Sequence, residues 1–393
     1  RSLADSTQRV IAGIPHESRI GSVSWSPDGS RIAFTVTDEK NVELWIAETA
    51  KPVTKRVLRQ RLNAALGTPY RWRSDSKSFI VAMVPENRGP EPPEPPVPVG
   101  PVVQENIGKT APARTYQDLL TNPYDELLFE HYGTSQIMLV DMGGDHDRIG
   151  SPAVFRDFDP SPDGKYLLVE SIHKPFSYVV PGDRFPRKIE IWDMDGKVVK
   201  TLADVPLQEG VPITFNSVPT GPRNVSWRAD APATLFWVEA QDGGDAKAEA
   251  AIRDKAFLLE APFKGEPKVL ASLSQRFSDV QWCRDDLALL EETWWKTRNE
   301  KTWIVKPGSP SSEPFKLYDR SWEDRYNDPG SFVTTKNRWG ETVLLTSPGG
   351  ESLYLIGQGD SQEGKRPFVD RLELATQKTE RLWRSEAPYY EVP

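Results

Sequence analysis

Trp25-Ser26-Pro27-Asp28-Gly29-Ser30-Arg31-Ile32-Ala33-Phe34-Thr35-Val36 contains a turn and the strand that leaves it. Proline presets φ, Asp bonds nearby backbone and Gly accepts positive φ, so the chain reverses here. Ile32 to Val36 then alternates with the period of two of a half-buried strand, and Val42-Glu43-Leu44-Trp45-Ile46 repeats that alternation after a polar turn. The same grammar returns at Pro160-Ser161-Pro162-Asp163-Gly164, followed by Tyr166-Leu167-Leu168-Val169 and Ile189-Glu190-Ile191-Trp192. Degenerate copies begin at Trp72-Arg73-Ser74-Asp75, Trp227-Arg228-Ala229-Asp230 and Trp282-Cys283-Arg284-Asp285. A late unit, Thr342 to Leu345, Leu353 to Ile356 and Val369 to Leu374, keeps the rhythm without a Trp anchor. Internal repetition of hairpins predicts an all-β chain: a β-propeller of four-stranded antiparallel blades, about six here with a further one cut off. Each anchoring Trp is expected to wedge between neighbouring blades rather than to stack on a ligand.

Composition agrees with that reading. The chain has 393 residues, with 35 Pro, 27 Gly and 13 Trp. Such a mixture supplies turns and bulky core material together, which disfavours both a helical bundle and global disorder. The formal net charge of −8 comes without a basic run, so a nucleic-acid surface is not expected. Proteins, peptides or small molecules are the expected partners. A single cysteine, Cys283, excludes an internal disulfide and a Cys-based zinc site. No apolar run approaches the roughly 18 to 20 residues that cross a bilayer. The chain opens on Arg1-Ser2-Leu3, with neither an initiator Met nor an export signal, and closes on Tyr389-Tyr390-Glu391-Val392-Pro393. Both ends read as cuts in something longer.

If the Asp-Gly turn joins a blade's first two strands, the extra length gathers in the connection between the second and third. The second unit carries a Pro-rich insertion at 85–113 and a short helical insertion at 114–132, read as a pair, Thr115 to Leu120 and Tyr124 to Phe129. Later units insert His173 to Arg187, Gln241 to Lys255 and Trp294 to Asn299. Connections of one type emerge from one side of successive blades, and decorated loops on a rigid scaffold are where binding resides. The Pro-rich stretch reads as a semi-rigid spacer.

Familiar catalytic constellations are missing. There is no Gly-x-Ser-x-Gly elbow, no Gly-x-x-x-x-Gly-Lys loop completed by Ser or Thr and no Gly-x-Gly-x-x-Gly turn. His16, His131, His146 and His173 have no paired spacing that would seat a metal. Asp242-Gly243-Gly244-Asp245 looks like the start of a calcium loop but lacks the later Glu, and reads as an ordinary turn. His173 alone, without a nucleophile, is expected to be structural. No cofactor and no metal are expected.

The Ser-Pro-Asp-Gly blades resemble the propeller of the prolyl oligopeptidase family of serine peptidases. Thr115 to Leu120, Ser171 to Tyr178, Gly182 to Arg187, Gln241 to Lys247 and Asp319 to Asp324 resemble characteristic segments of its glutamyl peptidase (glutamyl endopeptidase) branch. This resemblance implies a propeller over 1–393, incomplete at both ends, that gates peptides or unfolded segments into an α/β-hydrolase domain. That domain is expected downstream and is absent from this sequence, so no member of the family's Ser-Asp-His triad maps onto a residue here. The chain alone is expected to be non-catalytic. Cleavage after Glu requires a cation to meet the desolvated carboxylate. Arg184, Arg187 and Arg298, on the inserted loops, are the candidate substrate contacts. The competing reading is a stand-alone propeller that binds a protein partner. Compartment stays open between plastid stroma, bacterial cytoplasm and periplasm.

Overall fold

The alternation read from the sequence becomes strands in every repeat. The structure, a computed structural model, describes residues 10–51, 53–96, 116–212 and 214–392. Two compact units divide the chain: Arg1–Ile213 with Arg338–Gly340, and Thr214–Asn337 with Glu341–Pro393.

In the first unit, blade 1 is β1 (Arg19–Trp25), β2 (Arg31–Thr37), β3 (Val42–Glu48) and β4 (Thr54–Arg56), antiparallel in that order. Blade 2 is β5 (Tyr70–Trp72), β6 (Ser78–Met83), β7 (Thr134–Asp141) and the first half of β8 (His146–Pro160). Blade 3 takes the second half of β8 with β9 (Tyr166–Ile172), β10 (Arg187–Asp193) and β11 (Val198–Val205). The shared β8 pairs with β7 through Val154 and with β9 from Val154 onward, fusing both blades into one seven-stranded sheet.

The second unit holds blade 4: β12 (Arg223–Trp227), β13 (Thr234–Ala240), β14 (Asp254–Glu260) and β15 (Lys268–Leu273). Blade 5 is β16 (Arg276–Arg284), β17 (Leu287–Trp294), β18 (Asn299–Val305) and β19 (Phe315–Ser321). Blade 6 joins β20 (Ser331–Phe332) to β23 (Ser352–Gly357), β24 (Phe368–Glu373) and β25 (Thr379–Arg384), with β21 (Thr334–Lys336) and β22 (Thr342–Leu344) as a separate hairpin. The chain is thus all-β and built of four-stranded antiparallel propeller blades.

Within each unit the core lies between sheets. Every residue of β6 is buried, because Phe79, Val81 and Met83 pack with Leu44 and Ile46 of blade 1, while Ile80 and Ala82 pack with Leu167 and Val169 of blade 3. A strand covered on both faces reads as a continuous apolar run for this reason. Phe236, Leu258, Trp282 and Leu290 join blades 4 and 5, and Leu287, Leu289, Leu344 and Leu353 join blades 5 and 6.

The repeat is visible in atoms. Ser26 Oγ donates to Asp28 at 2.6 Å and accepts from the Arg31 amide at 3.0 Å; Ser161 Oγ donates to Asp163 at 2.8 Å and accepts from the Tyr166 amide at 3.0 Å. Gly29 and Gly164 both take left-handed φ near 70° at the turn's end. Ser76, in the degenerate copy, takes the same position at φ 56°. Blade 6 has its own copy at Ser347-Pro348-Gly349-Gly350, where Ser347 Oγ accepts from the Ser352 amide at 3.1 Å. The missing Asp concealed it from a search for Asp-Gly.

Two expectations need correction. Trp227 and Trp282 are buried and Trp72 packs on Phe79 at 4.1 Å, but Trp25 is 60% exposed, so its ring is left uncovered instead of wedged. Among the described residues of the blade 2 insertion one helix forms, α1 (Pro123–Gly133), not two. Tyr116 to Leu120 is irregular because Asp118 sits at φ 56°, outside the right-handed helical region. Residues 97–113 of the Pro-rich insertion, with 114 and Thr115, lie outside the described residues. Among the described residues no helix is long and apolar enough to cross a membrane.

Candidate functional site

Long connections leave the second strands of most blades, and each unit orders its own. In blade 1 this connection is only the turn from Asp38 to Asn41, closed by the Asp38 carboxylate on the amides of Lys40 and Asn41.

In the first unit, α1 anchors the platform. Asn122 caps it, accepting from the amides of Tyr124 and Asp125, and Pro123 starts the first turn, where a missing N–H costs nothing. Asp125 and Glu126 lie where the helix dipole favours anions. Phe129 then meets Phe176 edge-on at 5.1 Å and Phe185 at 5.6 Å, both from the blade 3 connection. Glu126 accepts from the Tyr178 hydroxyl at 2.7 Å, and Glu130 pairs with Lys174 at 2.8 Å. Those polar contacts fix the helix on the loop that carries two of the three candidate arginines.

Arg184 ends the single 3₁₀ turn Gly182–Arg184. Its guanidinium lies over the Tyr116 ring at 5.9 Å and reaches the Val211 carbonyl at 3.5 Å, with no carboxylate partner among the described residues. Arg187 is different. It is only 8% exposed, pairs with Glu170 at 3.4 Å, and burial pushes its guanidinium down from the ordinary value. Glu170 is shared with Arg156 at 2.6 Å. Arg187 therefore orders the base of the loop.

Arg298 belongs to the second unit. It adopts φ 54°, donates to the Trp295 carbonyl and pairs with Glu323 at 3.0 Å. Its guanidinium stacks over Trp295 at 4.0 Å and faces Trp322 at 6.0 Å, while Phe215 stacks on Trp295 at 4.0 Å with planes 12° apart. Phe215 is 64% exposed. The result is an open aromatic shelf with a cation on it, suited to apolar or aromatic side chains and, if Glu323 yields, to a carboxylate.

A buried ionic network holds this shelf's surroundings. Arg276 donates twice to Asp242 at 2.8 Å, once to Asp254 at 3.0 Å, and to the Asn216 carbonyl at 2.7 Å. Arg253 also pairs with Asp242, stacks on Trp294 at 4.1 Å, and Arg223 pairs with Asp254. Asn216 in turn accepts from the Trp295 amide at 2.8 Å. The Asp242 carboxylate is thus committed to arginines, and hydrogen bonds from them keep it well below the usual carboxylate range although burial opposes this. Sequence reasoning missed the network. Its signal was a charged residue opening β14 and β16, Asp254 and Arg276, where alternation runs straight into a buried strand.

His173 lies half-exposed between two acceptors, its Nε2 2.8 Å from the Asp204 carboxylate and its Nδ1 2.7 Å from the Lys174 carbonyl, with no nucleophile among these partners. Burial raises the Cys283 thiol above its ordinary value, the wrong direction for a nucleophile. Among the described residues no group of three or more His, Cys, Asp or Glu is placed to hold a metal.

Two curated relatives, each described as a probable chloroplastic glutamyl endopeptidase, from Oryza sativa subsp. japonica and Arabidopsis thaliana, are 40% identical over 400 residues, 98% of this chain. Over nearly its whole length the chain is similar to part of these glutamyl endopeptidases. It spans 42% and 41% of those relatives' lengths, so it corresponds to less than half of either. No family model matches it. Among solved structures, a prolyl endopeptidase studied for inter-domain dynamics is 13% identical, with a TM-score of 0.51 over 98% of this chain and 46% of that one. At such identity the likeness shows the fold alone, that of a β-propeller.

Proposed function

We infer that this chain is the propeller portion of a serine peptidase, admitting peptides or unfolded segments to a separate α/β-hydrolase domain that cleaves after Glu. The observation that carries the reading is the 40% identity over 98% of the chain to relatives more than twice as long. In the parent enzyme a serine attacks the peptide carbonyl, histidine acts as general base, and water releases the acyl-enzyme. None of these groups is drawn from this chain. Its own residues contribute the scaffold and the shelf.

Arg184 is the candidate contact for an acidic substrate group, since it has no carboxylate partner among the described residues. Arg298 serves only by exchanging Glu323 for the ligand. Arg187 is a positioning residue, locked on Glu170. The test is hydrolysis of paired reporter peptides ending in Glu or Gln by the full-length protein and by this chain alone. Full-length protein should cleave the Glu peptide and lose activity to a fluorophosphonate, while the isolated chain should release nothing. Activity in the isolated chain, or a full-length protein that resists the fluorophosphonate, would overturn the reading. Arg184→Ala should raise KM for the Glu peptide several-fold and leave the Gln peptide unchanged.

A further inference from the structure

One face of blade 5 breaks its own pattern. Along β17, Leu287 and Leu289 point into the core shared with blade 6, and the next position on that face, Glu291, is a half-buried carboxylate. Strand register puts Asp279, Glu291, Thr302 and Tyr318 directly opposite one another across β16 to β19, so all four share that face. Neighbouring strands lie about 4.8 Å apart, within reach of side chains converging on one point.

Glu291, Thr302 and Tyr318 line a cleft of about 360 Å³, closed on the other side by the Asp328 to Phe332 segment. Its polar atoms are poorly satisfied. Gln281 Oε1, Tyr318 Oη and the donor Arg320 Nε are buried and without a hydrogen-bond partner, and Glu291 makes no ion pair or hydrogen bond among the described residues. Orphaned buried polar atoms of this kind call for an occupant. Charge says which. Arg320 is taken by Glu300 at 3.1 Å and Asp328 at 3.8 Å, leaving more carboxylates than cations around the cleft. Trp322 and Phe332 add aromatic walls of the kind that favour a cation.

We propose that this cleft binds a primary alkylammonium group, whose three N–H donors meet the free acceptors of Glu291, Gln281 and Tyr318. A primary ammonium donates three hydrogen bonds and accepts none, which matches that inventory. Such a group arrives on a free alkylamine or on a lysine side chain. The site is independent of the peptidase reading, and either can fail alone. Burial, with the Glu300 and Asp279 carboxylates, pushes Glu291 up to about 7. The remaining charged groups facing it are Arg320 and Asp328; Lys301 instead approaches Glu292, at 3.6 Å.

Calorimetric titration of the chain with n-butylammonium and with Nα-acetyl-lysine amide at pH 8 tests the proposal. Saturable binding of one or both supports it and identifies the source. Tetramethylammonium, which has no N–H, should bind at least about tenfold more weakly. Glu291→Gln should weaken butylammonium about tenfold or more, and Tyr318→Phe by a smaller factor with Glu291 intact, each variant being checked for an unchanged thermal transition. Lowering the pH from 8 to 6 should cost about tenfold as Glu291 takes up its proton. No saturable heat from either amine, equal binding of tetramethylammonium, or affinity untouched by both substitutions and by pH would overturn it.

Discussion

Arg276 shows how one side chain can hold several loops. It is 3% exposed and satisfies two buried aspartates from different segments as well as a carbonyl. Removing one partner of a buried pair leaves the other charge in low dielectric without compensation. Arg276→Ala should therefore destabilise the fold by about 3–5 kcal/mol in a denaturant titration. Arg276→Lys should recover little, since an ammonium cannot reproduce the forked geometry. Glu291 carries the opposite sign. Its folded-state value, raised from 4.5 to about 7, means that the native state holds a proton the unfolded chain has already lost. Its contribution is fully present below pH 4.5, is lost as pH rises toward 7, and levels off above. Glu291→Gln should flatten the stability profile across that window in chemical denaturation at fixed pH steps. Neither residue was legible in the sequence as more than a charge, because burial of a charge depends on what the neighbouring blade brings to it.

The elements were far easier to read. Ser-Pro-Asp-Gly announces its hairpin because every contact that closes it is local, from Ser26 Oγ to Asp28 and to the Arg31 amide. Alternation after the turn then gives the strand. Ser161→Ala removes both of that hydroxyl's bonds in blade 3 and should cost about 1 kcal/mol, read as a lower midpoint at unchanged denaturant slope. What escaped the sequence was non-local or carried an unlisted residue. The continuity of β8 from one blade to the next depends on pairing at both of its ends, and Ser347-Pro348-Gly349-Gly350 performs the turn without the aspartate. The first half of the expected helical pair failed on one left-handed residue, Asp118, which periodicity cannot see. The aromatic shelf was half visible. Trp295 and Arg298 stood on an inserted loop, but Phe215 and Trp322 reach it from 80 and 27 residues away, counting from Trp295.

Within each unit the described residues present packed blades and ordered connecting loops, and among them no nucleophile is assembled with its base: burial raises the Cys283 thiol above its ordinary value, and His173 turns its ring nitrogens to Asp204 and a carbonyl. On the proposed reading, such a scaffold affects hydrolysis only through what it lets pass. The proposed gating should then appear as discrimination by substrate size and foldedness rather than as a change in chemistry. The comparison is one Glu-containing segment presented first as a short free peptide and then inside a stable folded domain, cleaved by the full-length enzyme and by the hydrolase part expressed without this chain. Full-length enzyme should cleave the free peptide and spare the folded one by a factor of about a hundred or more, roughly 2.7 kcal/mol in relative barrier. The separated hydrolase part should lose most of that preference while keeping its inhibition by a fluorophosphonate. An equal preference in both proteins would place the discrimination in the hydrolase itself and leave the blades without a gating role.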